Sequence, residues 1–155
     1  MISQTTEYAL RAVVFLAMNP GKSHTVQDIA KVTKVPTPYL AKVLQALSKG
    51  QIVKSQRGLG GGFLLAKEPS EISVLSIVDL VDPIKRIHSC PLDLAAHGVK
   101  LCQLHKRMDE AMAHVERCFA ESNIQELITM ESDSVPLCAE IPQVPYNHKP
   151  TASEA

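Results

Sequence analysis

Apolar side chains recur at helical spacing through the first fifty residues and are interrupted twice by turn residues. Ser3 can cap a first helix, which the Asn-Pro-Gly run at 19–21 ends. The run 25–28 has the form of a capping box and opens a second helix, and Thr37-Pro38 opens a third. The apolar positions are Tyr8, Ala12, Phe15, Leu16, Val26, Ile29, Ala30, Leu40, Val43, Leu44 and Leu47. This spacing predicts a core helix followed by a helix-turn-helix motif.

Residues 52–66 change from helical spacing to two short apolar runs around a glycine loop. The runs 52–55 and 63–66 are typical of strands, and 56–62 (QRGLGGG) is typical of the loop between them. Glycine lets this backbone approach another surface closely. A phosphate-binding nucleotide loop would instead need a GK[ST] run and a following helix, and the sequence has neither. A helix-turn-helix followed by a hairpin predicts a winged helix.

The second half of the chain is dominated by one long amphipathic helix that begins near residue 101. Its apolar residues repeat in heptads, with Leu101, Met108 and Val115 at one position and Leu104, Ala111 and Cys118 at the other. We expect this seam to pair with the same helix of a second subunit, and packing within one chain is the alternative. Cys118 lies on the seam and is therefore expected to be a buried small residue.

The predicted fold class is mainly α with a small β-hairpin wing, a winged helix-turn-helix plus a long dimerisation helix. Residues 1–82 form the predicted DNA-binding domain, including a short helix that Ser73 caps, and 83–105 form a cofactor or sensor loop. Residues 101–130 hold the dimerisation helix and a short following helix. The tail 131–155 has four of the ten prolines and no periodicity, which predicts disorder.

Charge is divided unevenly along a chain whose net charge is zero. Residues 1–60 carry eight Lys or Arg and two acidic residues, giving +6, and the remainder carries −6. This asymmetry indicates a polyanionic partner for the first part. The sequence shows no apolar run long enough for a membrane span and no signal-peptide pattern at its start, so we expect a cytoplasmic protein without a membrane partner.

Polar residues on the outward face of the third helix fit a DNA major groove. Thr37, Tyr39, Lys42 and Gln45 can contact bases or phosphates, and a glutamine can pair bidentately with adenine. In the glycine loop, Arg57 can enter a minor groove, with Gly58 and Gly60 allowing close approach. An ordinary solvated helix face is the alternative.

Residues 90–105 concentrate candidate metal-binding chemistry, with two cysteines and two histidines. Cys102 and His105 are three residues apart at the start of the long helix, so their side chains converge, and Cys90 can fold back across the loop. These ligands suit an iron-sulfur cluster or zinc, and a metal-free thiol switch stays open. A thiol oxidoreductase is disfavoured because no CxxC is present, and no other feature suggests an enzyme.

The sequence resembles the Rrf-type bacterial winged-helix regulators, which include the iron-sulfur cluster assembly regulator and the nitric-oxide-sensing repressor. The resemblance rests on TTEYALRAVVFLA and on PTPYLAKVLQALSKGQIVKSQRGLGGGFLLAKEPSEISVLSIVDLV, followed by a Cys-rich loop and a long helix, and covers residues 1 to about 130. It implies a homodimer on palindromic double-stranded DNA, with recognition helices in adjacent major grooves and the wing arginine, here Arg57, in a minor groove.

Many members of this family hold an iron-sulfur cluster through three cysteines in the loop. Here Cys90 matches the first cysteine, Cys102 the third and His105 a following histidine, whereas the middle position lies near His97. Glu7 matches an acidic ligand that some members take from the partner's first helix, and it competes with His97 for the fourth place. Two thiolates favour a 2Fe-2S cluster over 4Fe-4S, with zinc less favoured.

The resemblance therefore implies a transcriptional regulator, expected to be a repressor, that senses redox, iron-sulfur or nitric oxide status. A winged-helix regulator without a cluster, controlled by a partner protein, zinc or thiol oxidation, is the alternative.

Overall fold

Helix α1 is the centre around which the other elements pack in the computed structural model of the chain, which describes residues 2–58, 60–91, 100–129 and 136–137. The helices are α1 (Gln4–Met18), α2 (Val26–Thr33), α3 (Thr37–Lys49), α4 (Val74–Val81), α5 (Gln103–Glu121) and α6 (Ile124–Thr129). Strands β1 (Val53–Gln56) and β2 (Gly62–Leu65) form an antiparallel hairpin, and a 3-10 turn spans Pro69–Glu71. The expected mainly helical winged-helix architecture is confirmed.

The core is aliphatic and joins both ends of the described chain. Ala9, Ala12 and Val13 of α1 are fully buried, and they lie in one cluster with side chains from α2, α3, α4, α6 and the segment before α4. These partners include Leu16, Ile29, Leu40, Leu44, Leu47, Ile72, Ile77 and Ile124. The amide of Ile124 donates to the carbonyl of Ile72 at 2.9 Å, so α6 returns to the half of the chain that holds α1 to α4.

Side-chain caps define where the helices begin, as the sequence predicts. The Ser3 hydroxyl accepts from the Thr6 amide at 3.2 Å, and Thr25 and Asp28 form the expected capping box. Ser73 caps α4 by accepting from the Ser76 amide at 3.1 Å. One boundary differs from expectation: α3 is capped at Pro36, not Thr37, because Thr37 already has helical geometry and makes no side-chain cap bond.

The wing is fixed to the core through His24. The backbone groups of His24 and Phe63 exchange two hydrogen bonds, of 2.9 and 2.8 Å. A Cβ added to Gly62 would lie 2.4 Å from the His24 carbonyl oxygen, so only glycine allows this approach. The strands span 53–56 and 62–65, and both are therefore displaced by one residue toward the loop relative to the predicted runs.

Helix α5 leaves much of its heptad seam uncovered in the single chain. The side chains of Leu104 and Met108 are 65% and 44% exposed, and Ala111 is also exposed. Cys118 is exposed as well, so the expectation that it is buried is wrong for the isolated chain. Helix α5 also packs toward α4, and Val115 of the seam is half-buried, so packing within one chain accounts for only part of the apolar pattern.

Leu137, within the stretch that the sequence predicts to be disordered, packs against the core, whereas residues 131–135 and 138–155, including Cys138, lie outside the described residues. Among the helices of the described residues, none combines the length and hydropathy needed to cross a membrane.

Candidate functional site

The candidate DNA-reading surface is the outer face of α3. Leu40, Val43, Leu44 and Leu47 turn inward and are buried, which forces the intervening residues outward. As a result Thr37, Tyr39, Lys42 and Gln45 are all exposed, as the sequence predicts, and the Tyr39 residue is 60% exposed. The helix therefore presents a hydroxyl, a phenol, an amide and an ammonium group on one solvent-facing side.

Tyr8 of α1 joins this surface, a residue that the sequence analysis assigned only to the core. Its ring centroid lies 6.4 Å from that of Tyr39, with the planes tilted by 59°. The two tyrosines, with Thr5, Lys42 and Leu80, line a cleft of about 240 Å³ at the edge of α3. The spacing of Tyr8 fits a core position, so its second contact could not be read from periodicity alone.

The wing presents Arg57, Gly58 and Gly60 to solvent. Gly58 and Gly60 have φ values of 99° and 76°, and an added Cβ at either position would meet nothing within 4 Å. Their backbone conformation, rather than crowding, favours glycine there. The Ser23 hydroxyl donates to the Gly60 carbonyl, which ties the loop to the segment before α2.

The cations near this surface are available to a partner. Within the described part of the chain, no carboxylate forms an ion pair with Lys42, Lys49 or Arg57. The ammonium and guanidinium groups are therefore free to contact phosphates or a groove.

The candidate ligand site starts at the N-terminus of α5. Cys102 is the N-cap residue, and its Sγ lies 3.4 Å from Nδ1 of His105. The Lys106 amide donates to the Cys102 carbonyl at 2.9 Å, which closes the first helical turn. Both side chains are half-buried. The predicted convergence of this thiol and imidazole is present, with Cys102 at the cap rather than inside the helix.

The other predicted ligands are Cys90, His97 and Glu7, the last expected from a partner subunit. Cys90 is 7% exposed, and His97 falls within 92–99, outside the described residues. Glu7 forms an ion pair with Arg11 on its own helix, and its side chain is 54% exposed. No group of three or more His, Cys, Asp or Glu side chains is arranged to hold a metal among the residues described. The donor chemistry fits a soft metal, and the third and fourth ligands remain predictions.

A polar cluster that the sequence did not predict connects the segment before Cys90 to α5. Arg86 donates from Nε and Nη2 to the two carboxylate oxygens of Asp109, both at 2.7 Å, and from Nη1 to Glu116 at 2.9 Å. The Ile87 amide also donates to Asp109, at 2.8 Å. These donors, Arg86 first, lower the pKa of the Asp109 carboxyl to about 2, and the two carboxylates raise the pKa of Arg86.

One signal for this cluster was available in the sequence. Asp109 and Glu116 follow Cys102 at intervals of seven residues, so all three lie along one side of α5. An arginine partner from a loop 23 residues before Asp109 could not be identified from that pattern alone.

The chain is similar to known proteins over nearly its whole described length. The Rrf2 family model, described as an iron-dependent transcriptional regulator, matches residues 2–130. An HTH-type transcriptional regulator of Aquifex aeolicus is 36% identical over 134 residues, covering 84% of this chain and 93% of that protein.

Two further matches agree with this result. The HTH-type transcriptional regulator NsrR of Shouchella clausii is 28% identical and covers 85% of this chain and 91% of its own. The solved structure of CymR, the global cysteine regulator of B. subtilis, superposes with a TM-score of 0.68 at 22% identity, covering 82% of this chain and 95% of that one. The family match, the winged helix and the exposed α3 face lead to one conclusion: this chain belongs to the Rrf2 family of helix-turn-helix transcriptional regulators, which are not enzymes.

Proposed function

We propose that the protein is a homodimeric, sequence-specific repressor that senses redox, iron-sulfur or nitric oxide status through an iron-sulfur cluster bound in the 90–105 region. The observation that carries this proposal is the Cys102–His105 pair, 3.4 Å apart at the N-terminus of α5. A metal bound by this pair would contact the first turn of α5, and the exposed part of the α5 seam begins in that turn, at Leu104.

The DNA-reading part of the proposal rests on exposed side chains of α3 and the wing. Thr37, Tyr39, Lys42 and Gln45 face the major groove, and Arg57 enters the adjacent minor groove, with Gly58 and Gly60 at the backbone. A homodimer reads two half-sites about 34 Å apart, so the operator is palindromic. A rotation of one subunit changes the distance between the two reading helices and therefore the affinity.

The dimer part of the proposal rests on the seam of α5. Leu104, Met108 and Ala111 are exposed and follow heptad spacing, which is the pattern of a helix that packs against another helix. A second copy supplies such a helix through a twofold axis. Covering these side chains also removes Cys118 from solvent.

The cofactor part of the proposal assigns Cys90, Cys102 and His105 as ligands. His97, or Glu7 of the partner subunit, completes the set. Two thiolates with imidazole favour 2Fe-2S, and 4Fe-4S or zinc is less favoured. When bound, such a cluster supplies iron that reacts with oxidants or nitric oxide. The protein's part is to hold the half-buried thiol and imidazole at the helix start and to bring Cys90 to them.

A regulator without a cluster, controlled by a partner protein, zinc or thiol oxidation, is the second candidate. Two observations favour it: among the described residues no group of three or more His, Cys, Asp or Glu side chains is arranged to hold a metal, and the CymR structure is that of a cysteine regulator. The two candidates differ in their metal content.

Anaerobic purification followed by absorption spectroscopy and analysis for iron, sulfide and zinc tests the cofactor. We expect iron and sulfide in equal amounts in the wild type, near two of each per chain for 2Fe-2S. Cys90→Ala, Cys102→Ala and His105→Ala should lose the visible absorption, whereas Cys118→Ala should keep it. A colourless wild type without iron or sulfide would support the second candidate, and a full-intensity cluster in Cys90→Ala would refute the ligand assignment.

A further inference from the structure

A cluster of polar contacts attaches the segment that leads to Cys90 to α5. Arg86 binds Asp109 through two parallel hydrogen bonds of 2.7 Å and reaches Glu116 at 2.9 Å, while the next residue, Ile87, donates its amide to the same Asp109. Asp109 therefore accepts three hydrogen bonds from two consecutive residues. We refer to residues 83–90 as the strap and to the Arg86, Ile87, Asp109 and Glu116 contacts as the clamp.

The clamp is more constrained than an ordinary surface ion pair. The Asp109 and Arg86 side chains are only 17% and 28% exposed, and the pairing is bidentate, which fixes direction as well as distance. By contrast, Arg107 on the same helix pairs with Glu110 through one contact of 3.3 Å, and its side chain is 83% exposed. Exposed single contacts of that kind contribute little to stability. Arg107 therefore offers a matched control within the same helix.

The position of the clamp along α5 relates it to the candidate ligand site. Asp109 lies seven residues after Cys102, a rise of about 10 Å on the same side of the helix. Cys90 is three residues after the anchored Ile87, and a step of three residues in extended chain also spans about 10 Å. The strap, residues 83–90, contains no helix. The chain from Ile87 to Cys90 is thus about long enough for Cys90 to reach the turn of Cys102 while Ile87 stays bound to Asp109.

We propose that Arg86 is a positioning residue, which together with Asp109 anchors the strap on α5 and thereby fixes where Cys90 lies relative to Cys102 and His105. The clamp also joins the strap to the helix that carries the seam, since Glu116 is adjacent to Val115. Any change that moves Cys90 is then carried to α5 through a rigid bidentate contact. This second consequence rests on the proposed function, whereas the placement of Cys90 does not.

The placement is tested on the metal-free, reduced protein by measuring the rate at which iodoacetamide alkylates each cysteine, resolved by mass spectrometry of peptides. Cys90 is buried and Cys118 is exposed, so Cys118 is an internal standard. In Arg86→Ala and Asp109→Asn, we expect the Cys90 rate to rise by about tenfold or more, because local opening becomes easier, with the Cys118 rate unchanged. Arg107→Ala should alter neither rate.

Two further variants keep the test decisive. Arg86→Lys retains the charge but cannot pair bidentately, and we expect it to leave Cys90 nearly as reactive as Arg86→Ala does. Glu116→Gln removes only the outer contact and should have a smaller effect, and it serves if Arg86→Ala does not fold. A Cys90 rate that is unchanged in folded Arg86→Ala, or that is fully restored in Arg86→Lys, would overturn the proposal.

The alkylation result does not depend on whether the protein binds a cluster, so failure of the proposed function and failure of the clamp can be told apart. If the wild type binds a cluster, Arg86→Ala keeps every proposed ligand and should still be coloured. We then expect a changed visible circular dichroism spectrum and a smaller difference in operator affinity between loaded and metal-free protein. An unchanged spectrum and an unchanged difference would refute the link between the clamp and sensing.

Discussion

The Sγ of Cys102 lies 3.4 Å from Nδ1 of His105, and the carbonyl of the same cysteine accepts the first helical hydrogen bond of α5. The candidate ligand pair is thus part of the helix start rather than of a separate loop. Leu104, the first strongly exposed residue of the seam, lies between Cys102 and His105 in sequence. A change at this pair would therefore act directly on the helix that we propose as the dimer contact.

The wing arginine gives the first prediction. Arg57→Ala should weaken operator binding by about tenfold or more, because a guanidinium in a narrow minor groove contributes both charge and shape recognition. Fluorescence anisotropy with a labelled operator duplex measures the change. Arg107→Ala removes the same charge on α5, away from the wing, and should have little effect. Equal affinities of wild type and Arg57→Ala would refute the assignment of the wing.

The exposed seam gives the second prediction. Met108→Glu places a charge on the apolar face and should shift the protein from dimer to monomer, since burying an unpaired carboxylate is costly. Ala120→Glu adds the same charge at an exposed position off the seam and should leave the dimer intact. Sedimentation velocity distinguishes the two states. A dimer of unchanged affinity in Met108→Glu would mean that α5 is not the interface.

The third prediction concerns pH. The Arg86 guanidinium and the Ile87 amide lower the pKa of Asp109 from 3.8 to about 2 in the folded protein. Because the folded pKa lies below the unfolded one, the unfolded state binds the proton first as pH falls. The stabilisation by Asp109 is therefore complete above about pH 4 and is lost as the pH falls through about 2.

Urea unfolding at several pH values checks this dependence. Other carboxylates titrate in the same range, so the informative quantity is the difference between wild type and Asp109→Asn. We expect the difference in unfolding free energy to shrink between pH 4 and pH 2. Asp79→Asn, at an exposed position on α4, removes a carboxylate outside the clamp and is the control. A difference that stays constant across this range would contradict the role of the clamp.

The contact between the wing and His24 gives the fourth prediction. Gly62→Ala would place a Cβ 2.4 Å from the His24 carbonyl oxygen, so one of the two backbones must move. We expect a loss of about 1–3 kcal/mol in unfolding free energy and weaker DNA binding. Gly58→Ala, which meets nothing within 4 Å, should retain the contact to His24 and lose less stability. Hydrogen exchange of the Phe63 amide reports the contact directly.

The DNA-binding half could be predicted closely because its signals are local. Ser3, Thr25 and Ser73 cap the helices that the sequence assigns to them, and the stripe from Leu40 to Leu47 is buried as its period indicates. These features depend on neighbours three or four residues away. The displaced strand limits and the cap at Pro36 are differences of one residue, where turn geometry decides the boundary.

The second half was less predictable because its contacts join distant parts of the chain. Arg86 carries no periodic signal, and its partners Asp109 and Glu116 lie 23 and 30 residues later. Cys118 was expected to be buried because a heptad position is buried in a paired helix, and in the single chain that partner surface is solvent. Sequence spacing identifies a face, but it does not show what covers that face.

The central claim, that the ligand pair at the start of α5 controls DNA reading, is tested most directly by operator affinity. Operator duplexes are selected from a random library under anaerobic conditions with two forms of the wild-type protein. One form is the protein as purified, and the other is the protein after removal of metal and sulfide. We predict that the two forms of the wild type differ by about tenfold or more in Kd for the selected operator, and that Cys102→Ala gives one affinity under both conditions. Equal affinities of the two wild-type forms, or a full difference retained in Cys102→Ala, would contradict the account.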